Sequence, residues 1–119
     1  MVSIALVEDH TALRESLALV LGREPDFEVV EQAQSLAEAR ERDLYSVDVA
    51  VIDIFLPDGE GTRLIQELRQ RGTPGLLAFT ISSDPEVHRR AHQAGADEVL
   101  TKGTSIEELV NTIRSLATR

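Results

Sequence analysis

The feature that most constrains this chain is an alternation of short apolar runs with longer stretches of helical periodicity. Five runs rich in aliphatic and β-branched residues predict strands, and several of them are apolar at consecutive positions. The predicted strands are Ile4–Val7, Phe27–Glu31, Val49–Ile54, Leu76–Thr80 and Glu98–Leu100. Consecutive apolar residues suit parallel strands that are covered on both faces. With 119 residues, the chain is expected to form one domain.

Each predicted strand is followed by a segment with the sequence signals of a helix. The clearest start signals are Ser35 with Glu38, Asp84 with Pro85, and Ser105 with Glu108. Five strand–helix units joined by right-handed crossovers predict a parallel sheet with helices on both faces. Five strands favour the order 2-1-3-4-5, which is the flavodoxin-like (βα)5 arrangement.

Composition and charge narrow the classes of function. The formal net charge is −9, which disfavours nucleic-acid binding by this domain alone because phosphate recognition needs Lys and Arg. The absence of cysteine excludes disulfides and thiolate chemistry. The apolar run at residues 2–7 ends in two acids and has no basic flank, so we predict a strand and not a signal peptide. No stretch has the length of a membrane span, and a cytoplasmic location is expected.

The carboxyl ends of the predicted strands carry the candidate site, because ligands of open α/β sheets bind beyond those ends. The suitable groups at four strand ends are Glu8 with Asp9, Asp53, Thr80 and Lys102. Clustered carboxylates repel one another unless a cation joins them, and all-oxygen ligands suit Mg²⁺. A carboxylate can also attack phosphorus, and a metal ion, an ammonium and a hydroxyl can then each take one phosphoryl oxygen.

Taken singly, each candidate residue also has an ordinary structural explanation. The two acids after the first strand can belong to the first turn of a helix, and Asp53 can cap the next loop. Thr80 alone is more often a plain strand residue, and Lys102 alone a surface lysine. The four strand ends together favour a phosphoryl-transfer site, since we judge an accidental combination to occur roughly one time in twenty or less.

These residues give the whole chain a resemblance to bacterial response-regulator receiver domains. The stretch from residue 51 to 61 matches the family pattern D-x-x-x-P-x-x-x-G through Asp53, Pro57 and Gly61. The other matching positions are the acidic pair Glu8-Asp9, the hydroxyl at Thr80, the lysine at Lys102 and Gly95-Ala96-Asp97 before the last strand. The stretch Glu8-Asp9-His10 followed by Leu13-Arg14 resembles the NarL/LuxR-type subgroup.

The resemblance implies a role for each site residue. Asp53 is the expected phosphoacceptor of a sensor histidine kinase, and Thr80 and Lys102 are expected to hold the phosphoryl oxygens. The implied ligands of Mg²⁺ are Asp9, Asp53, the main-chain carbonyl of Phe55 and, through water, Glu8. The domain is then not an enzyme in the ordinary sense, because it catalyses only its own phosphorylation and dephosphorylation.

The resemblance also implies a longer protein. Residues 1–119 are expected to be the receiver, and a helix-turn-helix DNA-binding output domain is expected beyond Arg119. Phosphorylation would then control transcription. A phosphorylation-linked homodimer is expected, with the apolar first and fifth helices as its surface.

Two positions depart from the family pattern. Val99 stands where most receivers have Tyr or Phe, and Ile81 follows Thr80 where a small residue is usual. Because Val99 is too short for an aromatic switch, we predict that the fourth helix moves through backbone shifts of residues 81–84, or that its response is small. The thin inward stripe of that helix, Val87, Ala91 and Ala94, favours such a movement. Ile81 is expected to narrow access to Asp53.

Other functions fit this sequence less well. A flavin carrier needs a Ser/Thr/Gly-rich phosphate loop and aromatic residues, whereas the first loop is acidic and only 3% of residues are aromatic. A phosphatase of the haloacid-dehalogenase type needs a second Asp where Phe55 stands. His88 and His92 have a metal-binding spacing, but no acid lies between them and a solvated helix face is predicted. The serious alternative is a degenerate receiver that acts as a phosphorylation-independent interaction module, which Val99 keeps open.

Overall fold

The computed structural model describes residues 1–72 and 74–118 of the chain. Within them, seven strands and five helices follow one another along the sequence. The elements are β1 Val2–Val7, α1 Thr11–Gly22, β2 Phe27–Ala33, α2 Leu36–Arg40, β3 Val49–Asp53, β4 Phe55–Leu56, β5 Gly59–Glu60, α3 Gly61–Arg71, β6 Gly75–Thr80, α4 Pro85–Ala94, β7 Glu98–Thr101 and α5 Ile106–Ala117.

Five of the strands form one sheet in the order β2-β1-β3-β6-β7. Every neighbouring pair in this sheet is parallel. The remaining strands, β4 and β5, form a separate two-stranded sheet. The five strands of the large sheet are therefore the five predicted ones. Because β6 and β7 are the fourth and fifth strands of this sheet along the chain, the predicted order 2-1-3-4-5 is confirmed. A helix lies in each crossover, because parallel neighbours cannot be joined by a tight turn.

The antiparallel hairpin of β4 and β5 is not predicted by the sequence. Each of its strands has two residues, too few to show an alternation of apolar and polar side chains. Leu56 pairs with Gly59, whose φ of 151° favours glycine. The hairpin follows β3 directly and leads into α3, so it shapes the loop after Asp53.

Two hydrophobic cores lie on opposite faces of the sheet. On β3, Ala50 and Ile52 belong to the core covered by α2, α3 and α4, whereas Val49 and Val51 belong to the core covered by α1 and α5. All four side chains are buried. This alternation between two covered faces explains why the strands are apolar at consecutive positions.

The predicted helix caps are present. The caps Ser35, Asp84 and Ser105 accept hydrogen bonds from the main-chain N–H groups of Glu38, Glu86 and Glu108, respectively. The cap of α1 is His10, whose Nδ1 accepts a hydrogen bond from the Leu13 N–H over 3.1 Å. Each of these bonds satisfies a donor that the first turn of a helix would otherwise leave free.

The fourth helix, α4, is thinly anchored to the sheet. Ala91 is its buried residue, and Val87 and Ala94 pack partly buried against the same core, as predicted. By contrast, α5 buries four aliphatic side chains. At about 25 cal/mol per Å² of buried apolar area, the small side chains of α4 contribute less to its attachment. None of the helices in the described part of the chain is both long and apolar enough to span a membrane.

Candidate functional site

The register of the parallel strands brings four strand ends to one edge of the sheet. Val7 lies beside Ile52, Asp53 beside Phe79, and Thr80 beside Thr101. At this edge a cavity of about 470 Å³ is lined by Glu8, Asp9, His10, Leu13, Asp53, Phe55, Ile81 and Lys102. The structure therefore brings every predicted site residue except Thr80 to the wall of one cavity.

Lys102 links two of the carboxylates in the cavity. Its Nζ lies 2.7 Å from Glu8 Oε1 and donates a hydrogen bond to Asp53 Oδ2 over 3.1 Å. Main-chain donors reach the other two oxygens, since the Phe55 N–H donates to Asp53 Oδ1 over 3.1 Å and the His10 N–H donates to Glu8 Oε2 over 3.0 Å. Lys102 thus ties together the ends of β1, β3 and β7.

Burial makes the carboxyl group of Asp53 a weaker acid than that of an ordinary aspartate. The residue is 3% exposed, and its burial, reinforced by the charge of Glu8, raises the pKa of its carboxyl group to about 6. The hydrogen bonds from Lys102 and the Phe55 N–H oppose this rise without cancelling it. For Lys102 itself, burial favours a lower pKa, but the close contacts with the carboxylates of Glu8 and Asp53 outweigh burial and the pKa is raised. The ammonium therefore stays charged beside the two acids.

The acidic residues of the cavity fit a divalent cation. Glu8, Asp9 and Asp53 each offer an oxygen within 4.8 Å of the others. Although the Lys102 ammonium is close, no aligned hydrogen bond from the described residues reaches the buried Oε1 of Glu8. One ammonium also leaves three carboxylates with an excess of negative charge. An all-oxygen donor set of this charge, with Asp9 exposed to solvent, fits a partly hydrated Mg²⁺.

Two residues fix the path of the loop after Asp53. A Cβ atom on Gly61 would lie 2.0 Å from the Asp53 carbonyl oxygen, so only glycine allows α3 to begin this close to the site. Asp58 accepts hydrogen bonds from the N–H groups of Leu36 and Ala37, and these bonds lower the pKa of its carboxyl group. Asp58 thereby fastens the loop to α2. The sequence does not predict this role, because its only signal is a place between the proline and glycine of the motif.

Thr80 lies behind the cavity wall and is fully buried. Its Oγ1 accepts a hydrogen bond from the Ser82 N–H over 3.1 Å, and its main-chain carbonyl accepts one from the Lys102 N–H over 2.8 Å. Ile81 lines the cavity and is 78% exposed, so it stands at the rim. Val99 is partly buried against the core that α4 covers.

The two histidines of α4 contact different main-chain carbonyl groups. Nε2 of His88 lies 2.8 Å from the Ser82 oxygen, before the helix, and Nδ1 of His92 lies 3.1 Å from the Ala96 oxygen, after it. His92 is exposed, as the predicted solvated face requires, whereas His88 is half-buried. The two side chains thus hold opposite ends of α4 to the adjoining loops.

Comparison with known proteins agrees with this architecture. The family model described as "Response regulator receiver domain" matches residues 4–114. The chain is 37% identical over 119 residues to the DNA-binding transcriptional activator DevR/DosR of Mycobacterium tuberculosis, an alignment that covers 98% of this chain and 54% of the relative. It is 33% identical to the transcriptional regulatory protein UhpA of Escherichia coli, covering 99% of this chain and 60% of the relative. The chain therefore spans little more than half the length of these curated relatives.

A solved structure of a protein with similar sequence has the same fold. The chain is 31% identical to a two-component response regulator of the LuxR family from Aurantimonas sp. SI85-9A1. The two structures superpose with a TM-score of 0.87, over 98% of this chain and 84% of the other.

Proposed function

The chain belongs to the response-regulator receiver family, and from this premise we propose that it accepts a phosphoryl group on Asp53. One observation carries the proposal, which is the placement of Asp53. Its carboxylate is buried at the end of the central strand β3, is bonded to Lys102, and lies within 4.8 Å of the acids that follow β1. This arrangement supports a nucleophile surrounded by the groups that neutralise a phosphoryl group.

In the proposed reaction, Asp53 is the nucleophile. One of its oxygens forms a bond to phosphorus while the bond between phosphorus and the donor's leaving atom breaks. The leaving group keeps the electron pair and takes up a proton, and the product is an acyl phosphate on Asp53. Because the pKa of Asp53 is about 6, the carboxylate is mainly ionised at neutral pH, as a nucleophile must be.

The neighbouring residues supply charge and orientation. We assign the Mg²⁺ ligands as Asp9, Asp53, the Phe55 main-chain carbonyl and, through water, Glu8. When bound, the ion would neutralise charge on the phosphoryl oxygens. Lys102 is within reach of a phosphoryl group on Asp53, since its Nζ already contacts Oδ2. The Thr80 hydroxyl keeps its own hydrogen for donation, because its oxygen is the acceptor in the bond with Ser82.

We further propose that residues 1–119 are the receiver portion of a longer transcription regulator. A sensor histidine kinase would supply the phosphoryl group, and a helix-turn-helix output domain beyond Arg119 would bind DNA. The greater length of the matched relatives, one of them named a DNA-binding transcriptional activator, supports this assignment. A homodimer formed through α1 and α5 on phosphorylation completes the proposal.

Phosphoryl uptake from a small donor tests the proposal directly. The wild-type domain is incubated with acetyl phosphate, with and without Mg²⁺, and the intact mass is measured. We expect one phosphoryl group per chain only when Mg²⁺ is present, and none on the Asp53→Asn variant. Asp26→Asn is the matched control, because Asp26 is an acid bonded to Arg114 at the opposite edge of the sheet.

The outcomes separate the two remaining functions. Normal uptake by Asp53→Asn would show that the phosphoacceptor is assigned to the wrong residue. A folded wild-type domain that takes up no phosphoryl group with donor and Mg²⁺ present would instead favour the phosphorylation-independent interaction module.

A further inference from the structure

A short chain of hydrogen bonds runs from Thr80 to α4. The Ser82 N–H donates to Thr80 Oγ1 over 3.1 Å, and the Ser82 carbonyl oxygen lies 2.8 Å from His88 Nε2. Ser82 therefore contacts Thr80 through its main-chain N–H and His88 of α4 through its main-chain carbonyl. His88 lies in the second turn of α4, whose cap, Asp84, is two residues after Ser82.

The chemistry of these groups fixes the direction of each bond. A carbonyl oxygen can only accept, so His88 must carry its hydrogen on Nε2 and donate it to Ser82. The Ser82 N–H donates in turn to the Thr80 hydroxyl oxygen. All the hydrogens point toward the site, and the hydroxyl hydrogen of Thr80 is left for a further acceptor.

Apolar packing and ion pairs hold the beginning of α4 only weakly. Ala91, its buried residue, lies beyond the first turn, and Val87 is only partly buried. The ion pair of Arg90 with Glu60, at 3.6 Å, joins two exposed side chains, and such pairs contribute little. The loop after β6 is therefore linked to the beginning of α4 by the half-buried His88 contact with the Ser82 carbonyl and by the exposed hydrogen bond that the Asp84 N–H donates to Ser82 Oγ over 3.1 Å.

From this geometry we propose that His88 is a positioning residue that couples Thr80 to α4 through the main chain of Ser82. The proposal rests on the proposed phosphorylation of Asp53. When the Thr80 hydroxyl moves toward a phosphoryl oxygen, Ser82 is drawn along by its N–H, and its carbonyl draws His88 and the first turns of α4. Val99 has only a hydrocarbon side chain and offers no such polar link.

The experiment compares single substitutions on α4 with a control on the same helix. His88→Leu removes the donor, whereas His88→Gln keeps an N–H donor at the end of the side chain. His92→Leu is the matched control, since His92 also contacts a carbonyl oxygen but is tied to Ala96 and not to Ser82. Amide exchange of residues 82–94 is measured with and without beryllofluoride and Mg²⁺, a mimic of the phosphoryl group.

We expect beryllofluoride to change the exchange of Ser82 and of α4 together in the wild type, in His88→Gln and in His92→Leu. In His88→Leu the response of α4 should fall by about fivefold, the effect of losing one hydrogen bond, while Ser82 still responds. Phosphoryl uptake by His88→Leu should remain close to that of the wild type, because the residue is outside the cavity. A full response of α4 in His88→Leu would overturn the proposal.

A second measurement keeps this proposal distinct from the phosphorylation of Asp53. In the unphosphorylated domain, Thr80→Val removes the acceptor of the Ser82 N–H. The imidazole ¹⁵N signals of His88 should then shift while those of His92 remain in place. Unshifted His88 signals would overturn the coupling whether or not the wild type takes up phosphoryl groups. A shift of the His88 signals without any phosphoryl uptake would support the coupling and contradict the proposed function.

Discussion

At the carboxyl edge of the sheet, the buried acids Glu8 and Asp53 share a single ammonium, that of Lys102. At the amino edge, Asp97 and Asp26 each pair with an arginine of their own. Asp97 accepts from Arg69 and from the Leu76 N–H, over 2.6 and 2.8 Å. Asp26 accepts two hydrogen bonds from Arg114. The pKa of Asp53 is raised by burial, whereas that of Asp26 is lowered by its hydrogen bond with Arg114.

The difference shows that acidic residues have different roles at the two edges of the same sheet. Acids at the amino edge are bonded to arginines and main-chain donors, and their charges stabilise the fold. Acids at the carboxyl edge repel one another and favour the binding of a further cation. The carboxylate charges that destabilise the free domain therefore lie where a bound cation would neutralise them.

Metal binding should show the largest contrast between the edges. Asp9→Ala removes a proposed direct ligand, and the affinity for Mg²⁺ should fall on the order of 100-fold, because even indirect partners of metal ligands account for about 10- to 100-fold. Glu8→Gln should cost about tenfold, since a contact through water adapts more easily. Calorimetric titration with Mg²⁺ measures both, with Asp97→Asn as the control. Unchanged affinity in Asp9→Ala would contradict the ligand assignment.

The folding stability of the metal-free domain should reveal the cost of burying Asp53. Its pKa rises from 3.8 to about 6 on folding, so the folded state binds the proton more tightly than the unfolded state. Stability should therefore decrease as the pH rises from about 4 to about 6. Asp53→Asn removes this charge and should stabilise the domain by about 3 kcal/mol at pH 7, since one pKa unit corresponds to about 1.4 kcal/mol.

Urea denaturation of both proteins between pH 3 and pH 8 in chelator measures this effect. The curve for Asp53→Asn should be flatter than that of the wild type between pH 4 and pH 6. Equal slopes in the two proteins would show that the buried carboxylate has no such cost.

Lys102 should matter more for the response to phosphorylation than for folding. In Lys102→Ala we expect a folded domain that still takes up some phosphoryl group from a small donor. The change in amide exchange of α4 on adding beryllofluoride should be about tenfold smaller, because a hydrogen bond to a charged group is lost. Arg69→Ala, at the amino edge, is the comparison variant and should leave the response in place. A normal response in Lys102→Ala would count against a contact with the phosphoryl group.

At the amino edge, substitution should affect stability and leave phosphorylation alone. Asp97→Asn loses the charge that pairs with Arg69 but keeps one oxygen for the Leu76 N–H. We expect a loss of about 1 kcal/mol in the free energy of unfolding, with phosphoryl uptake unchanged. Denaturation and uptake assays on the same preparation check both parts. Impaired uptake by a folded Asp97→Asn domain would break the division between the edges.

The smallest effect is expected at the rim of the cavity. Ile81 is 78% exposed, so Ile81→Ala removes little of the cover over Asp53. The rate of phosphorylation by acetyl phosphate should rise about twofold, and stability should change little, as for most surface substitutions. A much larger increase would show that Ile81 closes the cavity in solution.

Much of the fold follows from local patterns in the sequence. The consecutive apolar residues of β1 and β3, the caps at Ser35, Asp84 and Ser105, and the parallel order are all predicted correctly. The β4–β5 hairpin is missed because two-residue strands have no periodicity. The capping of α1 by His10 is missed because histidine is not among the residues that favour caps.

The sequence by itself determined which groups stand at the strand ends, because strand boundaries follow from local hydrophobicity and the parallel order places those ends together. Only the tertiary structure decided the partners, such as Lys102 with Glu8, Asp58 with α2, and Ser82 with His88. These contacts depend on strand register and on the direction in which each side chain leaves its element. Neither is recorded in local periodicity, since residues 49 positions apart, such as Asp53 and Lys102, meet only when the whole sheet has formed.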